Sequence, residues 1–501
     1  MAVREIKTRN YVAYGLTDVL GAGSMAVISG WLIFFYTTFC GLSAIQAASI
    51  FAIARIIDAV ASPLIGHISD NLNKTKIGRR FGRRRIFLLA AIPLLPSFAL
   101  MWVADQHYWY YLLTFVFFEL VYASVLIPYE TLAAEMTDDY TKKAKFAGAR
   151  ILTGQVSAIF AGILPNWIVN YVGGKENSET FLIMGIIFAL AFMLVIGVTY
   201  LFTWEREHKD EPKPGAELPD KPQGSAFTAL KMVFVNLSST LRIRAFRLHL
   251  GMYLGGYISQ DIFNAAFTYF IVFALGGSVA IASSLIANTY IAQLAAVALA
   301  IALVIRIGPS YTYRLAVSFY IAGILALLCL FLTFSELPPL YLLLGAVVLA
   351  GLGRGALNYI PWNVYNYIAD VDEIVTAKRR EGSFAGVMTF IRKAAQAVAV
   401  MFVGIVIEWG GFMSGSETQT TEAINTIVLV MVIGPILLLL FGFFVASRFK
   451  LNKSTHALLM SEIAHLKSGA TEPSSDQSRA IVEDLSGWPY EKLWGKNNVG
   501  K

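Results

Sequence analysis

The chain has 501 residues, of which 56% are hydrophobic and only 15% charged. Soluble domains run about 45–50% apolar and about 25% charged, so a chain this apolar cannot cover its surface with polar groups in water. That excludes an ordinary soluble enzyme, a disordered chain and a nucleic-acid binder, and the net charge of +7 matters through its placement in loops.

A membrane-crossing helix takes roughly 20 apolar residues. Twelve apolar segments fall near 12–38, 44–67, 86–104, 107–134, 147–172, 180–203, 248–275, 279–305, 314–334, 338–368, 384–409 and 424–447. Met1–Asn10 is polar and basic, and the apolar stretch after it is too long for a cleaved signal. It reads as the first spanning helix. The two cysteines, Cys40 and Cys329, lie in or beside different segments, so neither a disulfide framework nor a zinc site is expected. The six histidines show no metal-binding spacing, and no cofactor or metal is expected.

Ionisable residues inside spans cost roughly 2.5–3.5 kcal/mol on insertion scales and usually face a cavity or a partner. In the first segment Asp18 has Tyr14 four residues earlier on the same helical face. A carboxylate beside an aromatic ring suits a hydroxyl-rich ligand. The alternative is a carboxylate near a helix end, solvated or paired with a neighbouring helix.

In the second segment, Arg55, Asp58 and Ser62 share one face at i, i+3 and i+7. A carboxylate there is a natural acceptor for a proton or a cation, and the arginine keeps it ionised until the pairing changes. The alternative is a permanent ion pair. The following IGRRFGRRR run is a topology determinant expected to meet anionic lipid, and Asp70 is expected to pair with it as an inner-gate brace.

The fourth segment carries Glu119 and Glu130 three turns apart, with Glu130 just after Pro128, where a helix can bend. Arg150 opens the fifth segment. The run from 204 to 247 is first polar and Pro-rich, then too polar to span, and reads as a linker with a surface helix. Beyond it, Asp261 sits well inside the seventh segment with Asn264 at i+3. The tenth contains GLGRGALNYIPW, whose glycines permit close packing or hinge motion and which lacks the setting of a nucleotide loop. Tyr257, Tyr359, Trp362 and Tyr365 are candidate sugar-pocket aromatics, or ordinary interface and lipid-facing rings. In the eleventh segment Lys393 is flanked by Thr389 at i−4 and Gln396 at i+3, while Arg392 points elsewhere, towards an acidic loop. Such cations hold sugar hydroxyls, hold a substrate carboxylate, or balance Asp18 and Asp58.

Basic residues set orientation. One set of loops contains Lys74, Lys76, Arg79, Arg80, Arg83, Arg84 and Arg85, then Lys142, Lys143 and Lys145, then Lys378, Arg379 and Arg380, whereas the opposite loops contain only Lys175. The basic side, with both termini, is expected to be cytoplasmic. The chain also repeats. IPYETLAAEMTDD, a basic loop and FAGAR are echoed by IPWNVYNYIADVDE, a basic loop and FAGVMTFIRK. Pro128 aligns with Pro361, Phe146 with Phe384, and Arg150 falls near Lys393. The expected organisation is a six-helix half at 1–203, a linker at 204–247, a second six-helix half at 248–447 and a cytoplasmic tail at 448–501.

YGLTD, GLSAIQAASIFAIARIIDAVASPLIGHISD, IPYETLAAEMTDDY, GSFAGVMTFIRKAAQA and the tail EDLSGWPYEKLWG together resemble the glycoside–pentoside–hexuronide:cation symporters. This is the major-facilitator subgroup that contains the melibiose permeases. The resemblance runs over about residues 11–495. It implies an all-α membrane protein of the major facilitator fold, with 12 transmembrane helices in two six-helix halves. It also implies alternating-access uptake of a sugar or sugar conjugate with H⁺, Na⁺ or Li⁺. The melibiose permeases use two aspartates in the second helix for the cation; here Asp58 fills the first position and Ser62 the second. Their acidic sugar-binding position before the proline is Leu126 here, and the aromatic after it is Glu130. Their helix-1 sugar carboxylate falls nearer Ala22, one turn from Asp18. Arg150 and Lys393 match the family's basic positions.

With one helix-2 carboxylate, a Na⁺ site lacks anionic oxygens, so proton coupling through Asp58, with Arg55 and Ser62, is expected. Na⁺ coupling stays open. Asp18, Tyr14, Glu130, Arg150, Asp261, Lys393 and Gln396 are the expected substrate residues, and Asp70 the gate. The expected partners are a small sugar, the coupling cation and membrane lipid, with the chain functional as a monomer in the inner (plasma) membrane. The rivals are a lysolipid or drug carrier of the same fold, a membrane enzyme, for which no nucleophile–base pair or metal constellation is found, and a nutrient sensor, for which the tail is short.

Overall fold

A computed structural model describes residues 5–72, 75–137, 140–171, 177–205, 235, 238–378 and 380–497, and among them there is no strand. Helix α1 spans Thr8–Thr38 and contains two π-helical turns, Val19–Gly23 and Ile28–Leu32. Helix α2, Ala44–Asn71, starts at a capping box in which Ser43 Oγ accepts from the Gln46 N–H at 3.2 Å and Gln46 Oε1 accepts from the Ser43 N–H at 3.0 Å. Then come α3 (Arg85–Leu100), α4 (Tyr108–Met136), α5 (Tyr140–Tyr171) and α6 (Ser178–Phe202). Beyond the linker lie α7 (Arg244–Tyr269, continued as a π-helical turn Phe270–Ala274), α8 (Val279–Ile307) and α9 (Pro309–Thr333). Helices α10 (Leu340–Thr376), α11 (Glu381–Trp409) and α12 (Thr421–Arg448) complete the spans.

Ten of these helices are long and apolar enough to cross a membrane. All twelve expected segments are helical, and the two that fall short do so for visible reasons. Helix α3 is interrupted by a 3₁₀ turn at Ile92–Leu94, where Pro93 and Pro96 remove backbone donors. Helix α7 carries Arg244, Arg247, Gln260, Asp261 and Asn264; Arg244 pairs with Asp484 of the tail, Gln260 Nε2 donates to Asn358 Oδ1 of α10 at 3.0 Å, and Asp261 is held by α11 as described below. The expected linker and surface helix at 206–234 and 236–237, together with Lys74, Lys175, Arg379 and the side chains of Asp70, Arg79 and Lys143, lie outside the described residues.

Helices α1–α6 meet α7–α12 along three seams: α2 on α11, α5 on α8, and the second π turn of α1 on α7. At the end away from the basic loops the seams are closed. Thr37 Oγ1 and Tyr269 OH lie 2.5 Å apart, Ile45 N donates to Glu408 Oε2 at 2.7 Å, and Asn166 Nδ2 donates to Ser284 Oγ at 3.0 Å. The backbones nearly touch there. A Cβ on Gly404 would overlap the Ala48 methyl and the Ala44 carbonyl, so only glycine allows α11 this close to α2. Past Ser62, towards the basic loops, no hydrogen bond or ion pair between described residues joins the two groups.

The repeated prolines lie inside α4 and α10, at Pro128 and Pro361. The repeated phenylalanines make equivalent contacts. Phe146 of α5 packs on Tyr11 and Tyr14 of α1, and Phe384 of α11 packs on Phe246 of α7. The basic run after α2 is held by acids the sequence reading did not assign to it. Arg83 and Arg84 both pair with Glu135, and the Glu205 carboxylate accepts backbone N–H groups of Arg83, Arg84 and Arg85.

The tail, expected only to be hydrophilic, is folded and docked. Helices α13 (Lys453–Lys467) and α14 (Asp476–Ser486) bury Leu459, Ile463, Val482 and Leu485. The chain then caps α10: Trp494 N donates to Ile374 O at 2.8 Å and Gly495 N to Val375 O at 3.0 Å. Glu462 anchors the arrangement by accepting from Ser474 Oγ and, at 2.5 Å, from Tyr490 OH. Burial pushes the Glu462 carboxyl up, but these hydrogen bonds outweigh it and hold its pKa below the ordinary value. A depressed carboxylate stabilises docking above the ordinary glutamate pKa, and that contribution is lost as pH falls through the depressed value. The tail is therefore expected to resist pepsin down to about pH 4 and to become cleavable below it. Glu462→Gln should flatten that dependence, and cleavage independent of pH in the natural chain would refute the anchor.

Candidate transport site

Helix α2 brings Arg55, Asp58 and Ser62 to one face, as the i, i+3, i+7 spacing requires. Asp58 is fully buried. Its strongest partner comes from α11: Lys393 Nζ lies 2.7 Å from Asp58 Oδ2 and donates to Ser62 Oγ at 2.8 Å. Ser62 Oγ in turn donates to the Asp58 carbonyl at 2.8 Å. The sequence placed Lys393 primarily with the substrate. The structure gives it to Asp58, the balancing role that was the alternative.

Arg55 is not chiefly the partner of Asp58. Its Nη1 donates to both oxygens of Glu119 on α4, at 3.0 and 3.1 Å, and lies 3.5 Å from Asp58 Oδ2. The Arg55–Asp58 pairing expected from spacing is thus the weaker contact, because the fully buried Glu119 takes the guanidinium. Arg55 Nε crosses to α11 and donates to Gln396 Oε1 at 3.1 Å.

Gln396 extends the network to α7. Its Nε2 donates to Asp261 Oδ1 at 3.0 Å. Arg392 completes a two-pronged grip on the same carboxylate, with Nη2 at 2.9 Å from Oδ1 and Nη1 at 2.6 Å from Oδ2. Arg392 and Gln396 are four residues apart and so face one partner; this corrects the expectation that Arg392 serves an acidic loop. Lys393, about 100° further round the helix, faces α2 instead. Thr389 is exposed. The Arg392 guanidinium also lies over Tyr257, its carbon 5.2 Å from the ring centre, and Trp362 Nε1 donates to Tyr257 OH at 3.0 Å. Tyr359 instead hydrogen-bonds Asn363 on its own helix. Tyr365 packs edge-on against Trp362.

A second cluster joins α1, α4 and α5. Arg150 bridges two acids, Nε to Asp18 Oδ1 at 3.2 Å and Nη2 to Glu130 Oε1 at 2.9 Å. Its guanidinium carbon stands 5.7 Å from the centre of the Tyr129 ring, which packs on Tyr14 at 4.4 Å. The Asp18 carboxylate fits because Gly21 and Gly154 face it; a Cβ at either would collide with its oxygens. Glu130 is half-exposed, and Asp18 is buried. Tyr14, Asp18, Glu130 and Arg150 thus come together as one group, whereas Asp261, Lys393 and Gln396, expected with them at the substrate, belong to the first network.

One buried cation escaped that reading. Arg354 of α10 is 4% exposed and stands among the rings of Phe263, Tyr290 and Tyr320, 5.6, 5.8 and 6.0 Å from their centres. It lines a small cavity with Gly30, Asn264, Phe267 and Thr289. The signal available was an arginine in the middle of an apolar segment, and the glycines around it drew attention to packing.

The described residues hold no cluster of side chains suited to a metal ion. They hold buried acids and bases that tie α2 and α4 to α7 and α11 across the seam. A bridge of this kind changes when one carboxylate gains a proton or a ligand competes for a cation, and helix groups joined by it can move relative to each other.

The known proteins that this chain resembles over most of its length are named as transporters. A family profile described as MFS/sugar transport protein matches residues 13–453. The glucuronide carrier protein homolog of Escherichia coli (strain K12) is 22% identical over 94% of this chain and 99% of its own length. The isoprimeverose transporter of Lactiplantibacillus pentosus is 23% identical over 85% of each chain. Among solved structures, the nucleoside transporter NupG superposes with a TM-score of 0.58 at 15% identity, covering 89% of this chain and 99% of that one. That likeness carries the major facilitator fold. The family match spans both helix groups and the seam between them, and the chain belongs to the MFS/sugar transport protein family, as a sugar symporter of the glycoside–pentoside–hexuronide type rather than an enzyme.

Proposed function

We propose that the protein imports a glycoside, pentoside, hexuronide or short oligosaccharide together with a proton, and that Asp58 carries the proton. The observation behind this reading is the fully buried Asp58 carboxylate bonded to Lys393 of the other helix group at 2.7 Å. A Na⁺ ion needs several anionic or carbonyl oxygens at once. Here one Asp58 oxygen is taken by an ammonium group, the next helix-2 position is the hydroxyl of Ser62, and Glu119 is held by Arg55. A proton needs only one oxygen. Protonating Asp58 removes the charge that holds Lys393 and loosens α2 from α11; releasing the proton re-forms the bond.

In this reading the Lys- and Arg-rich loops favour the cytoplasm on the open side of the seams, with both termini there, and the chain acts as a monomer in the plasma membrane. The arrangement is then the inward-open state. Asp18, Tyr14, Glu130 and Arg150 offer acceptors, donors and a ring to sugar hydroxyls from one helix group, and Asp261, Arg392 and Gln396 do so from the other. The test is external pH in de-energised cells expressing the protein while glycosides, uronides and oligosaccharides are added in turn. Transient alkalinisation with one of them supports the reading. Uptake that needs Na⁺ and moves no protons overturns proton coupling, and an absence of any sugar response overturns the substrate class.

A further inference from the structure

A short turn joins α1 to α2, and backbone groups at both of its ends are taken by the other helix group. A helix leaves its first N–H and last C=O groups without partners of its own. On α2 the capping box takes the Gln46 N–H, and the Ile45 N–H, one residue earlier, goes to Glu408 Oε2 of α11 at 2.7 Å. At the end of α1 the Thr37 carbonyl accepts at 2.9 Å from the N–H of Gly415, in the loop between α11 and α12.

The reach of Glu408 is set by its own helix. Gly404 and Glu408 are one turn apart and share a face. The close approach of Gly404 to Ala44 and Ala48 draws α11 against α2, and this puts the Glu408 carboxylate on the first turn of α2. The loop is shaped for its contact as well. Gly415 has φ +74°, which an L side chain rarely adopts. Gln419 braces the loop by accepting from Met413 N and donating to Met413 O, both at 2.8 Å. Phe412 fastens it to α7 through the rings of Tyr269 and Phe273, whose centres lie 5.3 and 5.5 Å from its own.

Among the described residues no cation lies within ion-pair distance of Glu408. Its charge is met instead by an amide at a helix N-terminus, where the aligned peptide dipoles favour an anion. A hydrogen bond to an ionised acceptor is roughly twice as strong as a neutral one. The bonds of Thr37 with Tyr269, Thr268 with the Gly30 carbonyl, and Asn166 with Ser284 join neutral groups across the same seams.

We propose that Glu408 positions the gate at this end: its carboxylate latches the first turn of α2 while the seam is shut, and so sets how the chain divides between its two open states. This rests on the transport reading above and adds a residue outside the sugar and proton sites. When the seam opens, water takes over both partners. The bond therefore weighs only on the closed state, and its loss shifts the population towards opening at this end.

The test is hydrogen–deuterium exchange on the purified full chain in lipid nanodiscs, which needs no substrate. One readout is the closed seam around Asn166 and Ser284, formed by other helices, α5 and α8. The second is the basic-side ends of the same two helices. Glu408→Ala is expected to speed exchange about tenfold at the first and to slow it at the second, with Glu408→Gln in between. Loss of a merely local cap would speed exchange only in the first turn of α2. Gly404→Ala, whose methyl would wedge α11 from α2, is the reference for a forced opening. The melting temperature of each variant shows that it is folded. If Gly404→Ala shows both changes and Glu408→Ala lacks either, the latch is overturned and the transport reading stands. If folded Gly404→Ala also fails to protect the basic side, the inward-open reading falls with the latch.

Discussion

Asp58→Asn is expected to abolish uphill accumulation while leaving exchange of labelled for unlabelled sugar across the membrane. Asparagine keeps the size and most hydrogen bonds of the side chain but cannot cycle between charged and neutral. Each ~59 mV of driving force on one monovalent ion sustains a tenfold gradient. Loss of the coupling group should therefore drop the internal-to-external ratio to about 1 in energised cells. The substitution also strands Lys393, whose ammonium has Asp58 as its one carboxylate partner among the described residues. Breaking one side of a buried pair costs roughly 3–5 kcal/mol. The double change Asp58→Asn with Lys393→Met removes both charges, so it is expected to recover thermal stability and to stay uncoupled. Gradient-driven accumulation by Asp58→Asn would refute the assignment of the proton to this carboxylate.

The residues on α2 were legible in the sequence because helical spacing is local. Arg55, Asp58 and Ser62 had to share a face once the segment was helical. What they face was not legible, since Lys393 is 331 positions from Ser62 and Glu119 is 64 from Arg55. Spacing alone made Asp58 the partner of Arg55; the fold supplied a better-aligned carboxylate. On α11 the same logic separated Arg392 from Lys393 but could not name Asp261 as its target. Arg354 shows a different limit. Gly351 lies against Thr289 and Ala292 of α8, Gly355 against Gln293 and Ala296, and Gly353 against Ala316 and Tyr320 of α9. The glycines let α10 sink between α8 and α9, which carries the arginine between them into the interior. Read along the chain they permitted close packing or hinge motion; in the fold they pack closely, and that packing is the reason a cation is buried. The docked tail was missed because its apolar residues are few and sit on one side of short helices, a pattern that gains meaning only when α7 and α10 supply the surface.

Arg55→Gln is expected to be the most destabilising single change in the seam. Glu119 is fully buried, and Arg55 provides both of its described hydrogen bonds. Removing the guanidinium leaves a carboxylate that must either stay charged without a partner or take up a proton, and breaking such a pair costs roughly 3–5 kcal/mol. The thermal midpoint of the purified protein should fall clearly, and uptake with it. Adding Glu119→Gln neutralises the site and is expected to return most of the lost stability. Uptake then separates two roles for Arg55. If it only satisfies Glu119, the double variant transports as well as the natural chain. If its Nε bond to Gln396 links α2 to α11 and Asp261, the double variant is stable yet accumulates sugar poorly, because the contact that relates the proton site to the other helix group is gone. The structure favours the second outcome, since Arg55 reaches Glu119, Asp58 and Gln396 from one side chain. A single variant with an unchanged thermal midpoint would show that Glu119 is already protonated in the resting protein, and would move the buried proton from Asp58 to α4.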